Sequence, residues 1–239
     1  MVPRLLERAA ELHRLHSAVD RAAAGHGVAV LVMGEPGIGK TSLLQTFVAE
    51  LETRTRVLAG VCEDLLTPRP LGALWDIART CPGPLATALA ARANPELLPA
   101  AVIEELARPR GPTVLIIEDA HWADGATLDV LRHVTRRISQ LPAVLILTYR
   151  DAEVGPNHPL RGLLGGLAGA DRLPLSALSV DAVTELAADS AVDAEVLFQL
   201  TDGNPFFVTE VLASPGVPVP PTVADAVLAR VSESAAGTD

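Results

Sequence analysis

The sequence predicts an α/β fold: a parallel sheet with helices on both faces, followed by a small helical domain. Three observations predict it. Short apolar runs at 28–33, 114–117 and 143–147 recur with helical stretches between them. Uninterrupted runs this short are the mark of strands buried on both faces. A glycine-rich loop follows the first run and opens a helix. Past Ser179 the periodicity is helical alone, through Val183, Leu186, Val196, Leu197, Phe206 and Val211.

Taken in order, an amphipathic helix is expected over 3–24, with Leu5, Leu12, Leu15 and Val19 on one face, ended by Gly25-His26-Gly27. A strand over 28–33, the glycine loop and a helix over 40–51 come next. A second strand spans 56–61. Residues 68–110 read as helix punctuated by prolines. The third strand, 113–117, leads to a helix over 126–139, and the fourth spans 143–148. A short last strand is placed near 172–175. Strands alternating with helices imply parallel pairing. The domain reading is 1–175 for the sheet domain and 176–213 for the helical one. Residues 214–239 read as a proline-rich hinge (SPGVPVPP), one helix and a disordered tail.

Composition narrows the function. Hydrophobic residues make up 49% of the 239 and charged residues 20%, enough for a sizeable core. A membrane-spanning helix needs roughly 20 apolar residues, and no run approaches that. The opening MVPRLLERAAELHRL mixes charge with leucine and does not read as a signal peptide. A net charge of −10 with no basic stripe excludes a nucleic-acid grip by this segment. Cys62 and Cys81 lack metal-ligand spacing and read as buried or idle thiols, with a cytoplasmic setting as the default. Lys40 is the only lysine among 19 basic residues. An arginine-biased chain that keeps one lysine inside a glycine loop points to a compact ammonium that a planar guanidinium cannot replace.

That loop, GEPGIGKT at 34–41, fits G-x-x-x-x-G-K-[ST] with an apolar strand before it and a helix after it. Its glycines let backbone N–H groups turn inward on phosphates, and the helix beginning near Lys40 adds the positive end of its dipole. The expected nucleotide contacts are Gly34, Glu35, Pro36, Gly37, Ile38, Gly39, Lys40, Thr41 and Ser42. Lys40 reaches the β and γ phosphates of ATP, and the Thr41 hydroxyl joins the shell of Mg2+. TVLIIEDAHWAD at 113–124 supplies the acids. Glu118 and Asp119, neighbours at a strand end, are expected to point to opposite sides and so to divide two roles, one near magnesium and one toward the attacking water. Asp124 is ambiguous: it either takes a part in the chemistry or is the N-cap of the helix starting near Ala126, which requires no catalytic duty. Arg150, after the fourth strand, lies on the rim where ligands bind in such sheets. It either senses the γ phosphate or is a surface arginine paired with Asp151.

Six motifs in order carry a resemblance: LLERAAEL, GEPGIGKT, CEDLLTPRPLGAL, IIEDAHWAD, LTYRD and TDGNPFF. Together they resemble the nucleotide-binding region of STAND ATPases, an AAA+-like P-loop NTPase fold, and specifically the large LuxR-type transcriptional regulators similar to the maltose regulator. The resemblance implies an adenine-holding front motif in which Arg8 and Glu11 match, while Glu7 stands where glycine is usual and Ala9 where an acid is usual. It sets Glu118 and Asp119 on the Walker B positions, both near the metal, with Asp119 able to take the magnesium role because Glu118 is longer than the usual aspartate. It sets Arg150 on the sensor arginine. Gly203-Asn204-Pro205 matches the motif whose proline touches the base, although the same tripeptide serves as a plain turn between helices.

The function implied is an ATP/ADP-binding switch with slow magnesium-dependent hydrolysis, nucleotide setting the angle between the two domains. Its partners would be other domains or protomers of a full-length regulator, without DNA or membrane contact by this segment. The resemblance continues into a winged helix, a sensor array and a helix-turn-helix, so a sequence ending at Asp239 reads as cut from a larger regulator or as a truncated relative. Two rivals stand beside the switch. A small-molecule kinase or stand-alone ATPase would need an acceptor site, for which Arg136, Arg137 and Arg161 are candidates. A nucleotide-independent scaffold would not need Lys40, Thr41 and both acids.

Overall fold

Strands β1 (Val28–Met33), β3 (Thr113–Glu118) and β4 (Ala143–Tyr149) are buried along nearly their whole length, which only a sheet covered on both faces permits. With β2 (Arg56–Val61) and β5 (Asp171–Pro174) they form one sheet in the order β2-β3-β4-β1-β5. Every pairing is parallel. This is the α/β architecture that the apolar runs predict. The computed structural model describes residues 5–67, 69–91, 94–108 and 111–213. The predicted hinge, final helix and tail over 214–239 lie outside the described residues, as does the start of the first predicted helix.

Helix α1 (Ala9–Ala23) precedes β1, and between the strands run α2 (Lys40–Glu50), α3 (Gly72–Thr80), α4 (Pro84–Ala90), α5 (Leu98–Leu106), α6 (Gly125–Thr135) and α7 (Leu160–Gly165). After β5 come α8 (Val180–Ala187), α9 (Ala194–Thr201) and α10 (Pro205–Ala213). The proline-punctuated stretch resolves into short helices because Pro84, Pro95 and Pro99 each occupy a first helical turn, where the missing N–H costs nothing. Two spans are shorter than the periodicity predicts. Helix α1 begins at Ala9 because Glu7 has φ 55°, a left-handed conformation that a right-handed helix cannot contain. Helix α6 ends at Thr135, and Ile138–Gln140 form a separate 3-10 turn. No described helix is long and apolar enough to cross a membrane.

The chain divides into two compact units, and the division does not follow the sequence simply. The first takes Arg8–Glu35 and Lys40–Pro174; the second takes residues 5–7, Pro36–Gly39 and the chain from Leu175. The core of the first unit joins Leu31, Leu58, Leu115, Ile117, Leu145 and Leu147 of the sheet to Leu74, Leu106, Leu128 and Leu131 of its helices. Each such side chain contributes roughly 1.5–3 kcal/mol on burial. The second unit has its own smaller core around Leu178, Val183, Leu197 and Val208.

One charged group is set deep in the first unit. Glu105 of α5 is 1% exposed and is bonded by Arg56 at the start of β2 and by Arg108 Nη1 at 3.0 Å. Burial pushes its carboxyl pKa up, but the hydrogen bonds from Arg56 and Arg108 outweigh burial and hold it below the ordinary carboxylate value. A depressed folded-state pKa stabilises the fold above the unfolded value of about 4.3, and that stability drains as pH falls through the folded value. Glu105→Gln should therefore cost about 1–3 kcal/mol at neutral pH, since both arginines are part-exposed and can turn to water. It should also lose part of the parent's acid sensitivity. Thermal melts of both proteins at pH 7 and below pH 4 check this; equal midpoints at pH 7 would remove Glu105 from the stabilising groups.

Candidate functional site

Strands β1 and β4 are adjacent, yet their connections leave in opposite directions along the sheet, β1 toward β2 and β4 toward β5. Such a switch point is where parallel sheets open a ligand crevice at the carboxyl ends of their strands. The loop after β1, the acids after β3 and the arginine after β4 all emerge at this rim. Because β4 lies between β1 and β3, Arg150 leaves the sheet between the loop and the acids. The linear sequence does not reveal that arrangement.

The loop is curled as its glycines allow. Gly34, Gly37 and Gly39 have φ of 150°, 75° and 97°. At Gly37 a Cβ would come 2.8 Å from both Asn204 Oδ1 and Phe206 Cβ, so space as well as conformation demands glycine there. Lys40, the first residue of α2, is 8% exposed. Its ammonium donates to Gly34 O at 2.7 Å and to Glu35 O at 2.9 Å. Burial lowers the Lys40 pKa; the charge of Asp119 opposes that shift and the charge of Arg150 adds to it. Thr41 donates its hydroxyl to Glu118 Oε2 at 2.8 Å. Hydroxyl and carboxylate thus already meet as a pair of hard oxygens, the donor type that magnesium takes. Among the described residues no larger His, Cys, Asp or Glu cluster could hold a metal.

The strand alternation from which opposite sides are expected does not extend to both acids. Strand β3 ends at Glu118, and Asp119 stands beyond it with φ 51°. Alternation across the pleat therefore does not apply to the pair; a left-handed turn separates them. The Asp119 N–H donates to Thr148 Oγ1 of β4 at 2.9 Å, which fixes the turn against the neighbouring strand. Asp119 raises the pKa of Lys40, so its carboxylate bears on the ammonium while Glu118 holds Thr41. Asp124 is the N-cap of α6, accepting from Thr127 N at 3.0 Å.

Arg150 pairs with Glu153 at 2.6 Å, not with Asp151. Its Cζ also lies 4.6 Å from the Trp122 ring centroid. A single 3-10 turn over Asp151–Glu153 brings Glu153 back to it, and spacing in the sequence does not distinguish that turn from an extended exit. Cys62 is buried, and burial together with Asp124, Asp119 and Asp76 pushes its thiol up to about 12, which leaves it protonated and unreactive. Arg8 is 4% exposed just before α1.

In the second unit, Asn204 is 1% exposed and donates its amide to Pro36 O at 2.9 Å. Its Oδ1 accepts from Phe206 N at 3.1 Å, and Phe206 N also donates to Gly37 O at 3.2 Å. Pro205 opens α10 beside these contacts. The Gly-Asn-Pro segment is therefore bonded to the backbone of the loop tip, a role for Asn204 that motif reading alone does not assign. Glu7 is a second unforeseen contact. It accepts from Ser179 N at 2.9 Å and from the Ser179 hydroxyl, at the N-cap of α8. Glu7 has a positive φ and adds a side-chain tie at this position.

Comparison with known proteins bears on these features. A family model described as AAA ATPase domain matches residues 4–147. An uncharacterized protein of Rhizobium meliloti (strain 1021) is 27% identical over 195 residues, covering 61% of this chain and 18% of that protein. A STAND protein (signal transduction ATPase with numerous domains) with a tetratricopeptide-repeat sensor from Pyrococcus horikoshii superposes with a TM-score of 0.59. It is 20% identical over 95% of this chain and 32% of its own. The ORC2 protein of Aeropyrum pernix, solved as ADPNP-ADP complexes, gives 0.61 at 16% identity, with 89% of this chain and 63% of that one covered. Both likenesses are of fold. The chain spans under a third of the STAND protein and under a fifth of the Rhizobium relative.

Proposed function

The chain belongs to the AAA ATPase domain family, and from that premise we propose that it is an ATP-binding switch module with slow, magnesium-dependent hydrolysis. The observation that carries the reading is the Thr41–Glu118 hydrogen bond at 2.8 Å beside a lysine folded onto its own loop. Lys40 holds the β and γ phosphates once its ammonium exchanges loop carbonyls for phosphate oxygens. The loop from Gly34 to Ser42 wraps the phosphates with its N–H groups, and the start of α2 faces them. Thr41 and Glu118 would hold a magnesium ion, which would supply charge neutralisation to the bound triphosphate. Asp119, beyond the strand end, orients or deprotonates the attacking water. Arg150 answers the γ phosphate, and Arg8 and Pro205 flank the base.

The same reading makes nucleotide the signal that sets domain orientation. Its support is the bonding of Asn204 and Phe206 to the loop tip within the second unit. It also takes the module as one part of a multidomain LuxR-type transcriptional regulator. Supporting that are the ordered motifs from LLERAAEL to TDGNPFF and the small share of its relatives that this chain spans.

Three measurements test the proposal. Lys40→Ala should weaken ATP binding about tenfold to a hundredfold, the range of one or more charge-assisted contacts worth roughly 1.5–3 kcal/mol each. Calorimetric titration with Mg-ATP reads it, and unchanged affinity would remove the loop from the site. Glu118→Gln should shift the magnesium dependence of ATP binding, whereas Asp119→Asn should slow turnover and leave binding largely intact. The opposite pattern in titrations and steady-state assays would exchange their roles. For the switch, hydrogen exchange over residues 176–212 should differ between ATP-bound and ADP-bound protein, since protection tracks local opening. Exchange there that ignores nucleotide would leave an ATP-binding domain without a switch.

A further inference from the structure

Beyond β4 the chain closes its 3-10 turn with Glu153 N donating to Arg150 O at 3.2 Å. The turn carries the Glu153 carboxylate back onto the guanidinium, where Arg150 Nη1 donates to Oε1 at 2.6 Å. Trp122, in the turn after β3, offers its ring to the same guanidinium at 4.6 Å. Arg150 is thus held by an aromatic ring through a cation–π contact and by a carboxylate through a hydrogen bond. The Arg150 side chain is 25% exposed and that of Glu153 40%, so water reaches the pair and it can separate. The other carboxylate oxygen lies 3.4 Å from His121 Nε2, but that buried ring makes no hydrogen bond through either nitrogen. His121 therefore holds Glu153 only by charge, and only when its ring is protonated.

We infer that Glu153 is the resting counter-anion of Arg150, competing with the terminal phosphate of a bound triphosphate for the guanidinium and so setting how strongly the site prefers ATP to ADP. The inference rests on the reading of Arg150 as the residue that answers the γ phosphate. To turn to a phosphate, Arg150 gives up one charge-assisted hydrogen bond for another. The gain is the difference between the two, not the full strength of the new one. Trp122 need not be released, because it holds the guanidinium by a cation–π contact and not by a hydrogen bond. Glu153 acts through Arg150 as a positioning residue. The plain alternative, an i,i+3 ion pair that only steadies a surface turn, predicts a small change in stability with ATP and ADP affinities altered alike.

The test is a double-mutant cycle on the purified chain, with Mg-ATP and Mg-ADP titrated into the parent, Glu153→Gln, Arg150→Ala and the double variant. Arg150→Ala should lower the ATP-to-ADP affinity ratio. Glu153→Gln should raise it about two- to fivefold, the range a part-exposed ion pair supports, and that gain should vanish when Arg150 is also alanine. Glu153→Asp keeps the charge while shortening its reach, and should give a gain in the same direction. A ratio that Glu153→Gln leaves unchanged while Arg150→Ala lowers it overturns the inference alone. A gain that persists in the double variant, or that is equal for ATP and ADP, shows a general charge effect and overturns it too. If Arg150→Ala itself leaves the ratio unchanged, the reading of Arg150 fails and the inference falls with it.

Discussion

Parallel register at the middle of the sheet is the constraint on which the site depends. Met33 at the end of β1 pairs with Tyr149 of β4, and Ile117 of β3 pairs with Leu147 of the same strand. Gly34, Arg150 and Glu118 therefore leave the sheet close to one level. A slip of one residue in either pairing would turn every buried side chain of a strand to its other face. In strands buried as fully as β1, β3 and β4, such a slip leaves no acceptable packing. The core sets the register, and the register aligns the chemistry.

What the rim then holds is a balance of charge in a partly desolvated place. Lys40 is buried and its pKa lowered, with Asp119 pulling against burial and Arg150 adding to it. His121, buried beside them, is likewise held below its ordinary value by burial, which Glu153 and Asp119 oppose. Each cation at the rim already has a partner: loop carbonyls for Lys40 and a carboxylate for Arg150. On the proposed reading, anion binding here would be an exchange of partners rather than the filling of an empty field. Exchange of that kind favours discrimination between ligands over raw affinity, because each new contact is weighed against an old one.

The second unit reaches its own order through short polar ties. Asn204 bonds Pro36 O and Phe206 N; Glu7 bonds Ser179 at the start of α8. Both ties link residues more than a hundred positions apart in sequence. Both also involve residues whose backbone or burial would be costly without them: Glu7 at positive φ and Asn204 at 1% exposure. A left-handed residue costs roughly 1–2 kcal/mol, and a buried amide left unpaired costs about 1–3 kcal/mol.

Period and composition determined much of this protein directly. Apolar runs too short for a membrane and too continuous for a half-exposed sheet made the strands legible. The glycine loop with its lone lysine made the phosphate-loop candidate legible, because hydrophobic spacing and glycine conformation are local properties. Asp124 as an N-cap was readable for the same reason, three residues from the N–H it bonds. Tertiary structure alone decided the rest. The insertion of β4 between β1 and β3 is a matter of strand order, which no local pattern encodes. Between Glu118 and Asp119 the backbone leaves the pleat in a left-handed turn braced by Thr148. The partner of Arg150 is Glu153 rather than its neighbour Asp151 because a 3-10 turn brings back the third residue and not the first. Local sequence specifies which groups are available. Which of them meet depends on packing between segments far apart in the chain, and that is settled only when the core closes.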